Sequence, residues 1–158
     1  MRKRHYISMA IVFAGLLVSA WILLHPRQLP EEECSDTYHR YKDVKGVAAS
    51  FIKGFPVNDT LCLDVTTLQA TDSAGWERLK KDFHIAPAPE FFQRKIEQGE
   101  DMVSVRRASK NDPTLPIDTT DYNNNNVVAI SRLYRTVSIF NTNTEAEQDA
   151  VSNNQLKL

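Results

Sequence analysis

Hydrophobic and polar positions divide this chain into three unlike parts. From Tyr6 to Leu24 no side chain carries a charge. At ~1.5 Å of rise per helical residue that run reaches ~28 Å, close to the ~30 Å hydrocarbon core of a bilayer. A single run in lipid can satisfy its backbone amides only as a helix. Residues 6–24 are therefore expected to form a transmembrane helix. Residues 25–42 read as a tether, because Pro26 and Pro30 oppose helix and Glu31, Glu32 and Glu33 favour solvent. From residue 43 onward the pattern is that of a folded domain.

Within that domain Val47, Ala49, Phe51 and Phe55 fall on one side of a period-two pattern, and Leu61, Leu63 and Val65 alternate with Cys62, Asp64 and Thr66. These are two half-buried strands, joined through the turn residues Pro56-Val57-Asn58-Asp59. Thr71, Asp72 and Ser73 offer capping oxygens before Trp76, Leu79 and Phe83, which stand at helical spacing. Pro87 and Pro89 end that helix and admit a second, with Phe91, Phe92 and Ile96 apolar and Gly99 as its stop. Met102 to Arg107 returns to strand, with Val103 and Val105 inward. No pattern marks Ala108 to Asn126, where Pro113, Pro116 and four consecutive asparagines oppose regular structure. Val127 to Phe140 is strand-rich, either one bent strand or a hairpin around Leu133-Tyr134. Thr144 and Glu147 have the spacing of a capping box at the start of a last, polar helix.

Strands, then helices, then strands, without βαβ alternation, predict an α+β domain over residues 43–158: an antiparallel sheet with helices on one face. The expected core is Val47, Phe51, Leu61, Leu63, Val65, Trp76, Leu79, Phe83, Phe92, Ile96, Val103, Val105, Ile130 and Ile139.

Charge sets the orientation. Arg2, Lys3 and Arg4 lie in the short tail of residues 1–5, which the positive-inside rule holds in the cytoplasm, so the domain is exported. The rival reading is a secretory signal cleaved near Ala20, for which Val18-Ser19-Ala20 meets the small-residue rule. Cleavage there would leave Trp21, Ile22, Leu23 and Leu24 at the new terminus, and the run is long for a signal. Cys34 follows Glu32-Glu33, which is no lipobox. Both readings export the domain. Without the three tail cations, 19 basic residues fall to 16 against 20 acidic ones, a net charge of −4. That balance argues against a nucleic-acid partner, which needs clustered Lys and Arg.

Candidate chemistry is sparse. Cys34 and Cys62 are the two cysteines. In an oxidising compartment they can pair, worth ~3.6 kcal/mol in the chain-entropy model, or stand as two free thiols. The four histidines, His5, His25, His39 and His84, sit in no metal-ligand spacing. His39 lies among Tyr38, Arg40 and Tyr41, and His84 suits a helix end. No nucleophile elbow or glycine-rich phosphate loop occurs, and no catalytic, cofactor or metal set can be assigned. Asn58-Asp59-Thr60 is formally a glycosylation sequon but reads first as a turn. For recognition the long polar stretch from Ala108 to Asn126 is the candidate, with Asp112, Asp118, Asp121 and Asn124 as candidate binding residues; a mobile loop without function is the alternative.

Four segments, Asp43-Val44-Lys45-Gly46-Val47, Val57-Asn58-Asp59-Thr60-Leu61, Ala70-Thr71-Asp72-Ser73-Ala74-Gly75-Trp76 and Lys110-Asn111-Asp112-Pro113-Thr114-Leu115-Pro116, resemble a group of small membrane-anchored proteins of Gram-negative bacteria. The resemblance implies an envelope protein and transfers no activity. The expected function is a single-pass, membrane-anchored binding or accessory module with an envelope protein or a small ligand as partner. The alternative is a small hydrolase or thiol-active protein.

Overall fold

The computed structural model describes residues 34–116 and 125–155. The expected tail and transmembrane helix, the Ala20 cleavage site, Asp118, Asp121 and Asn124 lie outside the described residues. Among the described residues no helix is long and apolar enough to cross a membrane.

The described residues from Ser35 onward form one compact unit. It opens with helix α1 (Asp36–Tyr41), whose N-cap Ser35 accepts from the Tyr38 amide through its hydroxyl. This corrects the tether reading for residues 35–42. Thr37 and Tyr41 of this helix are buried, and the Tyr41 hydroxyl donates to Asp82 at 2.8 Å.

A hairpin of β1 (Val47–Pro56) and β2 (Cys62–Ala70) follows, then α2 (Ser73–Asp82) and α3 (Glu90–Glu97), then β3 (Val103–Ser109), β4 (Asn125–Ser131), β5 (Thr136–Phe140) and α4 (Glu145–Gln155). The five strands form one sheet in the order β1-β2-β5-β4-β3, with every neighbouring pair antiparallel. After β2 the chain crosses to the far edge through α2 and α3, and the β3-β4-β5 meander returns to the middle. The α+β class with an antiparallel sheet is as the pattern predicts.

Local chemistry sets the joints. Asn58 Oδ1 accepts from the amides of Thr60 and Leu61 and from the Thr60 hydroxyl, and the Val57 amide donates to the Leu61 carbonyl. Asp72 is the cap of α2, its carboxylate accepting from the Gly75 amide at 2.7 Å. The capping box of α4 is present: the Glu147 amide donates to Thr144 Oγ1, and the Glu147 carboxylate accepts from the Thr144 amide.

The helices lie on both faces, which corrects the one-face expectation. On one face Tyr41 of α1, Leu79 of α2 and its C-cap residue Phe83 pack with Leu68, Val128, Ile130, Val137 and Ile139. On the other Val151 of α4 packs with Leu63, Val65, Val127, Ala129 and Phe140. The reason lies in β4, buried at every position from Asn125 to Ile130. A strand covered on both sides shows no alternation and cannot reveal a second helical layer.

A bulge in β1 overturns a second expectation. Ile52 pairs with Val65 and Phe55 with Leu63, so β1 holds one extra residue between those pairs. Gly54 takes φ +68° there, and its amide donates to Asp64 Oδ1 at 2.9 Å. The extra residue moves Phe55 off the face of Val47 and Ala49, to pack with the cluster of Leu63 and Phe140.

Of the expected core, Val47, Leu63, Val65, Leu79, Phe83, Ile130 and Ile139 are buried. Phe51, Leu61, Trp76, Ile96, Val103 and Val105 are half-buried. Phe92 is exposed, for α3 contains no buried residue.

Candidate functional site

The turn joining β4 to β5, Arg132-Leu133-Tyr134-Arg135, separates two concavities. The turn reading at Leu133-Tyr134 is the hairpin alternative made real, closed by the pair Ser131 and Thr136. Asp101 braces it, accepting from the Ser131 hydroxyl at 2.6 Å and from the Leu133 amide at 3.2 Å.

The larger concavity, about 660 Å³, is lined by Glu100, Asp101, Ser131, Tyr134, Thr136 and Ser138 among others. Its carboxylates are already engaged. Asp101 holds the turn, and Glu100 pairs with Lys95 at 2.9 Å. Beside them stand the hydroxyls of Thr136 and Ser138, the latter bonded to Thr67 at 3.3 Å.

The smaller groove, about 440 Å³, lies where α2, the segment 85–88, α3 and the β4–β5 turn come together. Its lining includes Trp76, Lys80, Arg132 and Arg135, with Ile85, Pro87, Ile96 and Leu133 as apolar wall, and no carboxylate. Two arginines pin the segment that frames it. Arg106 donates to the carbonyls of Phe83 at 2.8 Å and Thr114 at 3.1 Å. Burial pushes its guanidinium below the ordinary value. Arg132 donates to Ser104 Oγ at 3.1 Å and to the Ala86 carbonyl at 3.4 Å. Between the two pinned carbonyls Ile85 is buried against the core.

Two non-glycine residues among those described have positive φ, His84 at 50° and Arg135 at 53°. His84 ends α2: its amide donates to the Lys81 carbonyl and that of Ile85 to the Lys80 carbonyl, an arrangement that favours glycine at this position. Arg135 ends the hairpin turn, and its carbonyl accepts from the Ala70 amide at 3.0 Å. Arg135 lines the groove and His84 immediately precedes Ile85, which also lines it. Left-handed backbone at such residues costs about 1 kcal/mol or more, and such strain gathers at functional sites.

Those residues singled out in the sequence that the structure describes fall elsewhere. Asp112 is a structural turn residue: it accepts from the Thr114 amide and hydroxyl and pairs with Arg40 at 3.3 Å. The Thr114 hydroxyl first, and Arg40 after it, hold the Asp112 carboxyl below its usual range. Cys34 and Cys62 are free thiols, Cys34 half-buried and Cys62 exposed. His39 stacks edge-on with Tyr38, and Arg40 belongs to Asp112. No group of three or more His, Cys, Asp or Glu side chains among the described residues could hold a metal ion.

The chain matches no family model, no curated protein and no solved structure. Its functional reading therefore rests on its own geometry. The four groove side chains were missed in the sequence because α2 and the β4–β5 turn are brought together only by the return of β5 to β2. One signal was present: Arg132 and Arg135 flank a turn dipeptide where Gly or Asn is the usual chemistry.

Proposed function

We propose that this chain is a single-pass, membrane-anchored envelope protein whose exported α+β domain is a binding or accessory module, with the Trp76–Arg135 groove as its site. The uncharged run from Tyr6 to Leu24 behind Arg2, Lys3 and Arg4 supports the anchor and its orientation. The observation that carries the binding role is the groove itself, a concave apolar wall with converging cations and strained backbone at its border. An envelope protein or a small ligand is the partner it serves.

Fractionation and protease protection test this reading together. The full-length chain is expected in the inner-membrane fraction, with its domain cleaved by protease added to spheroplasts and protected in intact cells. A full-length chain recovered in the cytosol, or a domain that resists protease in spheroplasts but not after lysis, overturns it.

A further inference from the structure

We infer that the groove binds an oxyanion, the carboxylate or phosphate group of a ligand whose apolar part lies against Trp76. This rests on the reading of the domain as a binding module and names the chemistry that the module recognises.

Charge is the first support. The chain apart from its three tail cations carries a net −4, yet this groove is lined by Lys80, Arg132 and Arg135 and by no acid. Arg132 donates to a hydroxyl and a carbonyl, so its hydrogen bonds orient the guanidinium without cancelling its charge. Lys80 pairs with Glu77 at 2.7 Å, but the Glu77 side chain is 70% exposed, and a surface pair of that kind holds weakly. An arriving anion can take its place.

Shape is the second. Guanidinium groups present planar forks of donors that match carboxylate and phosphate oxygens. The indole of Trp76, half-buried beside Ile85 and Pro87, supplies an apolar wall for whatever carries the anion. Pre-organisation is the third. The Arg132 guanidinium is held by Ser104 and Ala86, so little of its freedom is lost when a ligand binds. The larger concavity across the turn has the opposite chemistry, with carboxylates and hydroxyls, and does not compete for anions.

The test uses the full chain in nanodiscs of neutral lipid, with Trp21→Phe so that Trp76 alone reports. Inorganic phosphate and succinate are titrated separately against chloride at constant ionic strength. A saturable change in Trp76 emission is expected with at least one of them. Phosphate alone assigns a phosphoryl ligand and succinate alone a carboxylate ligand. Arg135→Gly, which suits the left-handed position, and Lys80→Gln are each expected to weaken binding about tenfold with the unfolding midpoint retained. The inference is overturned by no saturable response to either anion, or by unchanged affinity in both variants. If anions fail to bind while the chain fractionates with the inner membrane, the ligand class alone is wrong. If they bind to a chain found in the cytosol, the anchor reading alone is wrong.

Discussion

At Gly75 the first turn of α2 meets the turn before β1. A Cβ added there would stand 1.7 Å from the Gly46 carbonyl oxygen, an overlap that only backbone movement could relieve. That same carbonyl accepts from the Thr71 amide, so movement would also break the joint between β2 and α2. Gly75→Ala is expected to lower stability by about 2–4 kcal/mol, seen as a fall in the urea midpoint. An unchanged midpoint would show that the two backbones do not approach this closely. Arg135 gives the opposite sign. Replacing it with glycine relieves the left-handed strain and loosens the unfolded chain, so Arg135→Gly is expected to leave stability unchanged or raise it by up to about 1 kcal/mol. Tyr41 adds a pH dependence. Burial first, and then the hydrogen bond to Asp82, raise its phenol above the ordinary 10.0. A group raised on folding contributes fully below its unfolded value and loses that contribution as the pH climbs past it. Tyr41→Phe should cost about 1 kcal/mol at neutral pH, with the difference from the parent shrinking in alkaline denaturation curves.

Among the helices, α3 and α4 show how little an apolar stripe says about burial. Phe91 is 64% exposed and Phe92 38%, with Lys95 lying 5.5 Å over the Phe91 ring. In α4, Val151 is fully buried and Asn154 donates to the Val57 carbonyl at 2.7 Å, tying this helix to the first hairpin. Val151→Ala is therefore expected to cost about 2 kcal/mol, and Phe91→Ser less than about 0.5 kcal/mol, in paired urea melts. A larger loss at Phe91 would mean that a further layer covers α3.

For the molecule as a whole, the Arg40–Asp112 pair links α1 to the turn after β3. The Asp112 carboxyl is held below its usual range, so its contribution to stability is present above the unfolded value and is lost as the pH falls through the folded one. Wild type should lose more stability than Asp112→Asn as the pH drops below about 4, measured by thermal melts across an acid series. Equal slopes would assign no titration to this turn. The four segments that carry the resemblance are all joints of this kind. Gly46 meets Gly75, Asn58 closes the hairpin, and Asp112 closes the turn before Pro116. They build the fold, and of the groove lining they supply only Trp76.

What the sequence determined by itself was local: the caps at Asp72 and Thr144, the turn at Asn58, the succession of elements from β1 to β3, and the α+β class. Each depends on atoms a few residues apart, so the chain carries its own instruction. Tertiary structure decided the rest. Asn125 and Asn126, read as loop, open β4 because Ser109 and Ala108 pair with them, and strand pairing outweighs the preference of asparagine. Phe55 changed face through one inserted residue, and a second helical layer covered a sheet that seemed to need only one. The groove belongs to this second class. Trp76 and Lys80 lie on α2, Arg132 and Arg135 on a turn far along the chain, and only the antiparallel return of β5 beside β2 places their charges around one space.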